Sequence, residues 1–143
     1  MEITVTLPIY VKTSKKKKEQ LVGLNWFRNA HYQTKDKIKK HYHKLVSEQL
    51  SGVKYTFEKQ IQVKYQLFYK NSNSDLMNVV SVIDKFLLDA LQECDVISND
   101  NMKKYVYCEA KVGKKDIENP RLVCIISEVE QWEKLNLKEI QKN

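Results

Sequence analysis

The stretch Ser74–Asn101, SDLMNVVSVIDKFLLDALQECDVISNDN, decides how the chain is read. At about 100° per residue, Val79, Val80, Ile83, Phe86, Leu87, Ala90 and Leu91 gather on one side of a helical wheel. Such an apolar stripe must face a core. Asn78, Lys85 and Asp89 fall within roughly 80° of Asp75 on the opposite side. Asp84 lies about 180° from Asp75, at the border of the stripe, and reads as a surface or partner-facing residue rather than a ligand. The loop that follows adds Asp95 and Asp100. Carboxylates, an amide and an ammonium on one face are the materials of a hard-cation site, because Mg²⁺ takes carboxylate oxygens and water. The competing reading is a merely solvated helix face, with Ser74 or Asp75 serving as the N-cap.

Working outward, Tyr55–Tyr69 alternates Tyr55, Phe57, Ile61, Val63, Tyr65, Leu67 and Tyr69 with polar residues, and Lys59 is the one break. That period of two predicts a strand. Ile3–Val11 alternates likewise, and Pro8 places that strand at an edge or a bulge. Thr34–Leu50 has the spacing of a helix, ended by a left-handed cap at Ser51-Gly52. Met102–Val112 and Leu122–Ser127 predict two further strands, joined by a short link as an antiparallel hairpin. Glu130–Lys142, with Trp132, predicts a short terminal helix or a frayed tail. The order of elements predicts an α+β domain, a mostly antiparallel sheet packed with two main helices.

The chain has 143 residues, a single-domain length, and 42% of them are hydrophobic, which argues for a folded core. No apolar run is long enough to span a membrane, and the alternating start is unlike a secretion signal, so the expected compartment is the cytoplasm. Cys94, Cys108 and Cys124 are odd in number without C-x-x-C spacing, and read as reduced, buried thiols. His41 and His43, two apart on a helix, do not share a face for a metal. The net charge is +7, unevenly spread: residues 1–70 hold 15 Lys and Arg against 5 Asp and Glu, and residues 71–143 hold 10 against 13. A basic half beside an acidic half suits a polyanion-binding surface flanking a cation site. Arg28, within the aromatic and polar segment Leu24–His31, and Lys35, Lys39 and Lys40 on the first long helix are the candidate DNA-binding residues. No Gly-rich phosphate loop and no G-x-S-x-G motif offers a competing chemistry.

The run D-x-x-N-V-V-S-V-I-D-K-F-L-L-D-A-L followed by V-I-S-N-D-N resembles the signature of the RusA family of Holliday junction resolvases, in a form common among phages. The matching residues are Asp75, Asn78, Lys85, Asp89-Ala90-Leu91 and Asp100. Leu24–His31 (LNWFRNAH) resembles an early segment of that family, and Asn119-Pro120-Arg121 a late one. Three positions depart from the pattern. Met77 and Asn99 stand where the family has acids, and Lys85 comes one helical turn late. The resemblance implies a Mg²⁺-dependent (or Mn²⁺-dependent) crossover junction endodeoxyribonuclease working in a bacterium or phage-infected host. It implies Asp75, Asp89 and Asp100 as metal ligands, Lys85 beside the scissile phosphate and Asn78 on a ligand or phosphate. It also implies a homodimer acting on branched DNA, with no small-molecule cofactor and no membrane. The alternative is a structural DNA-binding protein on the same fold, its catalysis lost with the two acids.

Overall fold

The computed structural model describes residues 1–12 and 18–129. Lys15–Lys17 and the Glu130–Lys142 segment with Trp132 lie outside the described residues. The elements are β1 (Glu2–Pro8), β2 (Tyr10–Lys12), β3 (Glu19–Leu21), α1 (Leu24–Asn29), α2 (Tyr32–Gln49), β4 (Ile61–Tyr69), α3 (Leu76–Glu93), β5 (Tyr105–Lys115) and β6 (Arg121–Glu128). The main sheet has the order β1-β6-β4-β5, and β2 with β3 forms a separate ribbon. β6 runs antiparallel to both β1 and β4, while β5 lies parallel to β4, so the fold is α+β with a mostly antiparallel sheet.

Alternation along each strand decides which face is buried. Ile3, Val5 and Leu7 of β1, Leu122, Cys124 and Ile126 of β6, and Ile61, Val63, Tyr65 and Leu67 of β4 all point into one core. α2 and α3 cover that face. Tyr42 of α2 stacks on Phe86 of α3, with ring centroids 5.5 Å apart and planes 14° from parallel. The α3 stripe foreseen from its spacing is buried throughout. Truncating one of its leucines, such as Leu87, to alanine would cost roughly 2–5 kcal/mol, because a closed core relaxes only partly around the cavity.

The expected hairpin of the last two strands does not form. β6 inserts between β1 and β4, and β5 takes the outer edge. The chemistry of the two strands explains the choice. β6 buries Leu122, Cys124 and Ile126 fully, whereas β5 carries exposed Glu109, Lys111, Lys114 and Lys115 and suits an edge. The five-residue link 116–120 reaches across the end of β4, since at about 3.3 Å per residue it exceeds two strand spacings. A parallel β4–β5 pair needs a long crossover, and α3 provides it.

Smaller corrections have equally local causes. The strand expected from Tyr55 begins only at Ile61. Residues 55–60 instead pack on the chain beyond α3, with the Phe57 N–H donating to Val96 O at 2.8 Å and the Lys104 ammonium to Phe57 O. α2 ends without a left-handed glycine. Leu50 N–H returns to Val46 O at 3.0 Å, and no glycine among the described residues has positive φ. β1 lies at an edge, as Pro8 suggested.

Candidate functional site

The site begins with the one α3 acid that the wheel sets beside the apolar stripe. Asp84 leaves the middle of α3 toward the sheet, into a cleft of about 380 Å³ between α3 and β5. Tyr105 donates its hydroxyl to Asp84 Oδ1 at 2.8 Å, and the Tyr65 hydroxyl donates to the same oxygen. Both tyrosines face α3 because Tyr65 belongs to the inner row of β4 and Tyr105 opposes Ile61 of that row. The β4–β5 register then slips by one residue, so that Tyr107 opposes Gln62 and Cys108 opposes Val63. Such irregularities re-aim side chains. Tyr105, Val106, Tyr107 and Cys108 all line the cleft that Asp84 enters.

Burial dominates the electrostatics. It lifts the Asp84 carboxyl above the ordinary carboxylate range; the two tyrosine donors oppose that rise, and the negative charge of Asp100 adds to it. Burial and the neighbouring carboxylate likewise hold Tyr65 and Tyr105 protonated, so both hydroxyls act as donors. Asp100 sits in the loop before β5. Asn99 Oδ1 accepts from Asn101 N at 3.3 Å, and Asn101 O accepts from Lys104 N and Tyr105 N at 3.0 and 2.9 Å. That turn brings Asp100 close enough to Asp84 to raise it.

The residues singled out from the sequence are scattered differently. Asp75 is the N-cap of α3 and accepts from Asn78 N at 2.8 Å. Asp89 lies near the other end of the helix, paired with Lys39 at 3.6 Å. Fourteen residues at about 1.5 Å each separate the two by roughly 20 Å, so they cannot share an ion. Among the described residues no three His, Cys, Asp or Glu side chains come together as a metal cluster. The expected trio Asp75, Asp89 and Asp100 is therefore not assembled.

Asn78 is structural, with its Oδ1 accepting the Leu24 N–H at 2.9 Å and so tying α1 to α3. Lys85 does not reach toward the acids. Its ammonium lies 5.1 Å from the Phe27 ring centroid, and Lys35 approaches the same ring at 4.5 Å. Lys40 pairs with Asp36 at 2.9 Å, one helical turn back. Arg28 is exposed on α1, and Arg28 and Lys37 have no carboxylate partner among the described residues. The three cysteines are free, as expected, but only Cys124 of the three is buried; Cys94 is half-buried and Cys108 exposed.

Asp84 is the residue that wheel geometry undervalued. Its position at the edge of an apolar stripe was itself the signal, since a carboxyl placed toward a core needs partners and is often functional. No family model matches the chain, and no curated protein matches it.

Among the described residues, Asp84 and Asp100 are two carboxylates whose charges meet. Asp84 Oδ1 takes both tyrosine donors, which leaves Oδ2 without a protein donor among the described residues. The tension between Asp84 and Asp100 is what a cation would relieve. Mg²⁺ characteristically uses one or two carboxylates, with water and substrate phosphate completing its shell.

Proposed function

We propose that the protein is a divalent-cation-dependent endodeoxyribonuclease acting on branched DNA, four-way junctions above all, and that Asp84 and Asp100 are its essential carboxylates. The observation that carries this reading is the Asp84 carboxyl, held in the α3–β5 cleft by Tyr65 and Tyr105 and opposed by Asp100. In the family pattern that the sequence resembles, Met77 marks a missing acid. Met77 lines the same cleft as Asp84, so Asp84 offers a second carboxylate in the region where the pattern lacks one.

Tyr65 and Tyr105 fix the Asp84 carboxylate plane before substrate arrives, so little reorganisation is needed later. Asp100, on an exposed turn, meets incoming phosphate from the solvent side. Mg²⁺ held by these two would lower the pKa of a bound water and offset charge developing on the phosphate. The basic surface of α1 and α2, with Arg28, Lys35 and Lys37, supplies the sequence-independent grip on the DNA backbone.

The test is cleavage of a synthetic four-way junction with Mg²⁺ or Mn²⁺. Paired nicks that disappear with EDTA, with D84N and with D100N are expected. Tight junction binding by the wild-type chain without any cutting would overturn the reading.

One observation favours a second reading, a structural DNA-binding protein: Asp75 and Asp89 are committed to a helix cap and to Lys39. On that reading the wild-type chain binds junctions without cutting, and Met77→Asp combined with Asn99→Asp would create cleavage.

A further inference from the structure

The two edges of the main sheet are finished differently. On β1, α2 occupies the outer side. The Thr6 N–H donates to Gln49 Oε1 at 2.9 Å, Gln49 Nε2 donates back to Thr6 O at 2.8 Å, and the Tyr42 hydroxyl donates to Pro8 O at 2.6 Å. Among the described residues nothing comparable protects β5. This strand runs 11 residues, and among the described residues it pairs with β4 alone. Alternate residues of an edge strand turn their amides outward, a template for another strand. Val112 on this strand is 57% exposed.

We propose that β5 pairs antiparallel with β5 of a second copy of this chain, about a two-fold axis at Ala110. The choice of occupant rests on charge complementarity. An axis perpendicular to the sheet keeps side chains on the same face and so sets residues equally far before and after the centre opposite one another. Centred on Ala110, it places Glu109 opposite Lys111 of the second copy, and by symmetry Lys111 opposite Glu109. Cys108 then faces Val112, which covers the exposed valine. Centring on Glu109 or Lys111 would set like charges face to face, and centring on Val112 would leave Tyr105–Cys108 unpaired. The pairing joins two four-stranded sheets into one of eight, with the helices of both copies on the same side. It is independent of the nuclease reading, because it concerns mass and not activity.

Sedimentation of the full chain over a range of concentrations tests it. The wild-type chain is expected to form a dimer. E109K and K111E each place like charges opposite one another twice, and should weaken it about tenfold. The charge-exchanged double variant E109K/K111E restores attraction and should return the dimer to wild-type strength. Both positions are exposed, and thermal melting verifies that the variants fold. Hydrogen exchange should show β5 amides protected more strongly as concentration rises. A monomer at all concentrations would overturn the proposal, as would a dimer indifferent to E109K or one that the double exchange fails to rescue. β5 protection that ignores concentration would also overturn it, since the chain's own residues would then cover the edge.

Discussion

The Tyr105 hydroxyl donates to Asp84 Oδ1 at 2.8 Å, tying the first residue of β5 to the middle of α3. The contact sits 21 residues apart in sequence and joins the two elements that wall the cleft. Its energetics are pH-dependent. Burial raises the Asp84 pKa in the fold, so the protonated form is favoured relative to the unfolded chain. The stabilisation from that protonated form is complete below the unfolded-state pKa and is lost as pH rises through the higher folded value. At neutral pH the ionised carboxylate therefore opposes folding. Asp84→Asn keeps an acceptor for both tyrosines and removes the charge. It should melt a few degrees above the wild-type chain at pH 7.5, with the gap closing below about pH 4, near the ordinary carboxylate value. Under the nuclease reading the same variant cuts no junctions. Calorimetric melts across pH, beside the cleavage assay, check both halves.

Asp75 separates two roles by one atom. Asparagine caps helices about as well as aspartate, while alanine loses about 1 kcal/mol. Asp75→Ala should destabilise by that amount, and Asp75→Asn should not. Cleavage by Asp75→Asn at the wild-type rate would mark Asp75 as a cap alone. A large loss of rate at unchanged stability would make it a participant in the reaction. Denaturant melts with single-turnover cleavage decide.

Gly23 and Asn78 are coupled by close approach. A Cβ at Gly23 would lie 2.7 Å from Asn78 Nδ2, and Asn78 also accepts the Leu24 N–H. Asn78→Ala should cost about 1–3 kcal/mol by leaving that donor without its partner. Gly23→Ala should destabilise through the clash. Because Asn78→Ala removes the side-chain atoms that make the closest approaches, the double variant should cost less than the sum of the two. Strict additivity in a double-mutant cycle would contradict the assignment.

DNA affinity should fall steeply with salt. Arg28→Ala and Lys37→Ala free no carboxylate among the described residues, and each should reduce the slope of log affinity against log salt by about one if it meets a phosphate. Lys39→Ala releases Asp89 and Lys40→Ala releases Asp36, so their effects mix lost attraction with a newly unpaired acid. Fluorescence anisotropy at several salt concentrations measures all four.

Much of the fold was legible because burial and period coincide. The α3 stripe and the alternation of β1 and β6 could be read directly, since each apolar row has one core to face. The position of β5 could not be read in this way. A short link permits a hairpin, and only the competition between β5 and β6 for the interior slot excludes it. The candidate site was legible in part. Asp100 and the importance of α3 came from motif and wheel, but the wheel ranked acids by their distance from the apolar side. That rule favours solvated carboxylates such as Asp75 and Asp89 and discards Asp84. Its partners Tyr65 and Tyr105 come from two strands whose juxtaposition depends on a parallel pairing and a register slip. Periodicity within one segment carries no trace of either.

The clasp of Gln49 on Thr6, formed across 43 positions of sequence, has a consequence for how copies of this chain accumulate. A sheet with two open sides can add neighbours without end and grow into fibres. The glutamine clasp blocks β1 at Thr6, so if two copies pair through β5 as proposed, the pair would offer a filament no equally open side from which to lengthen.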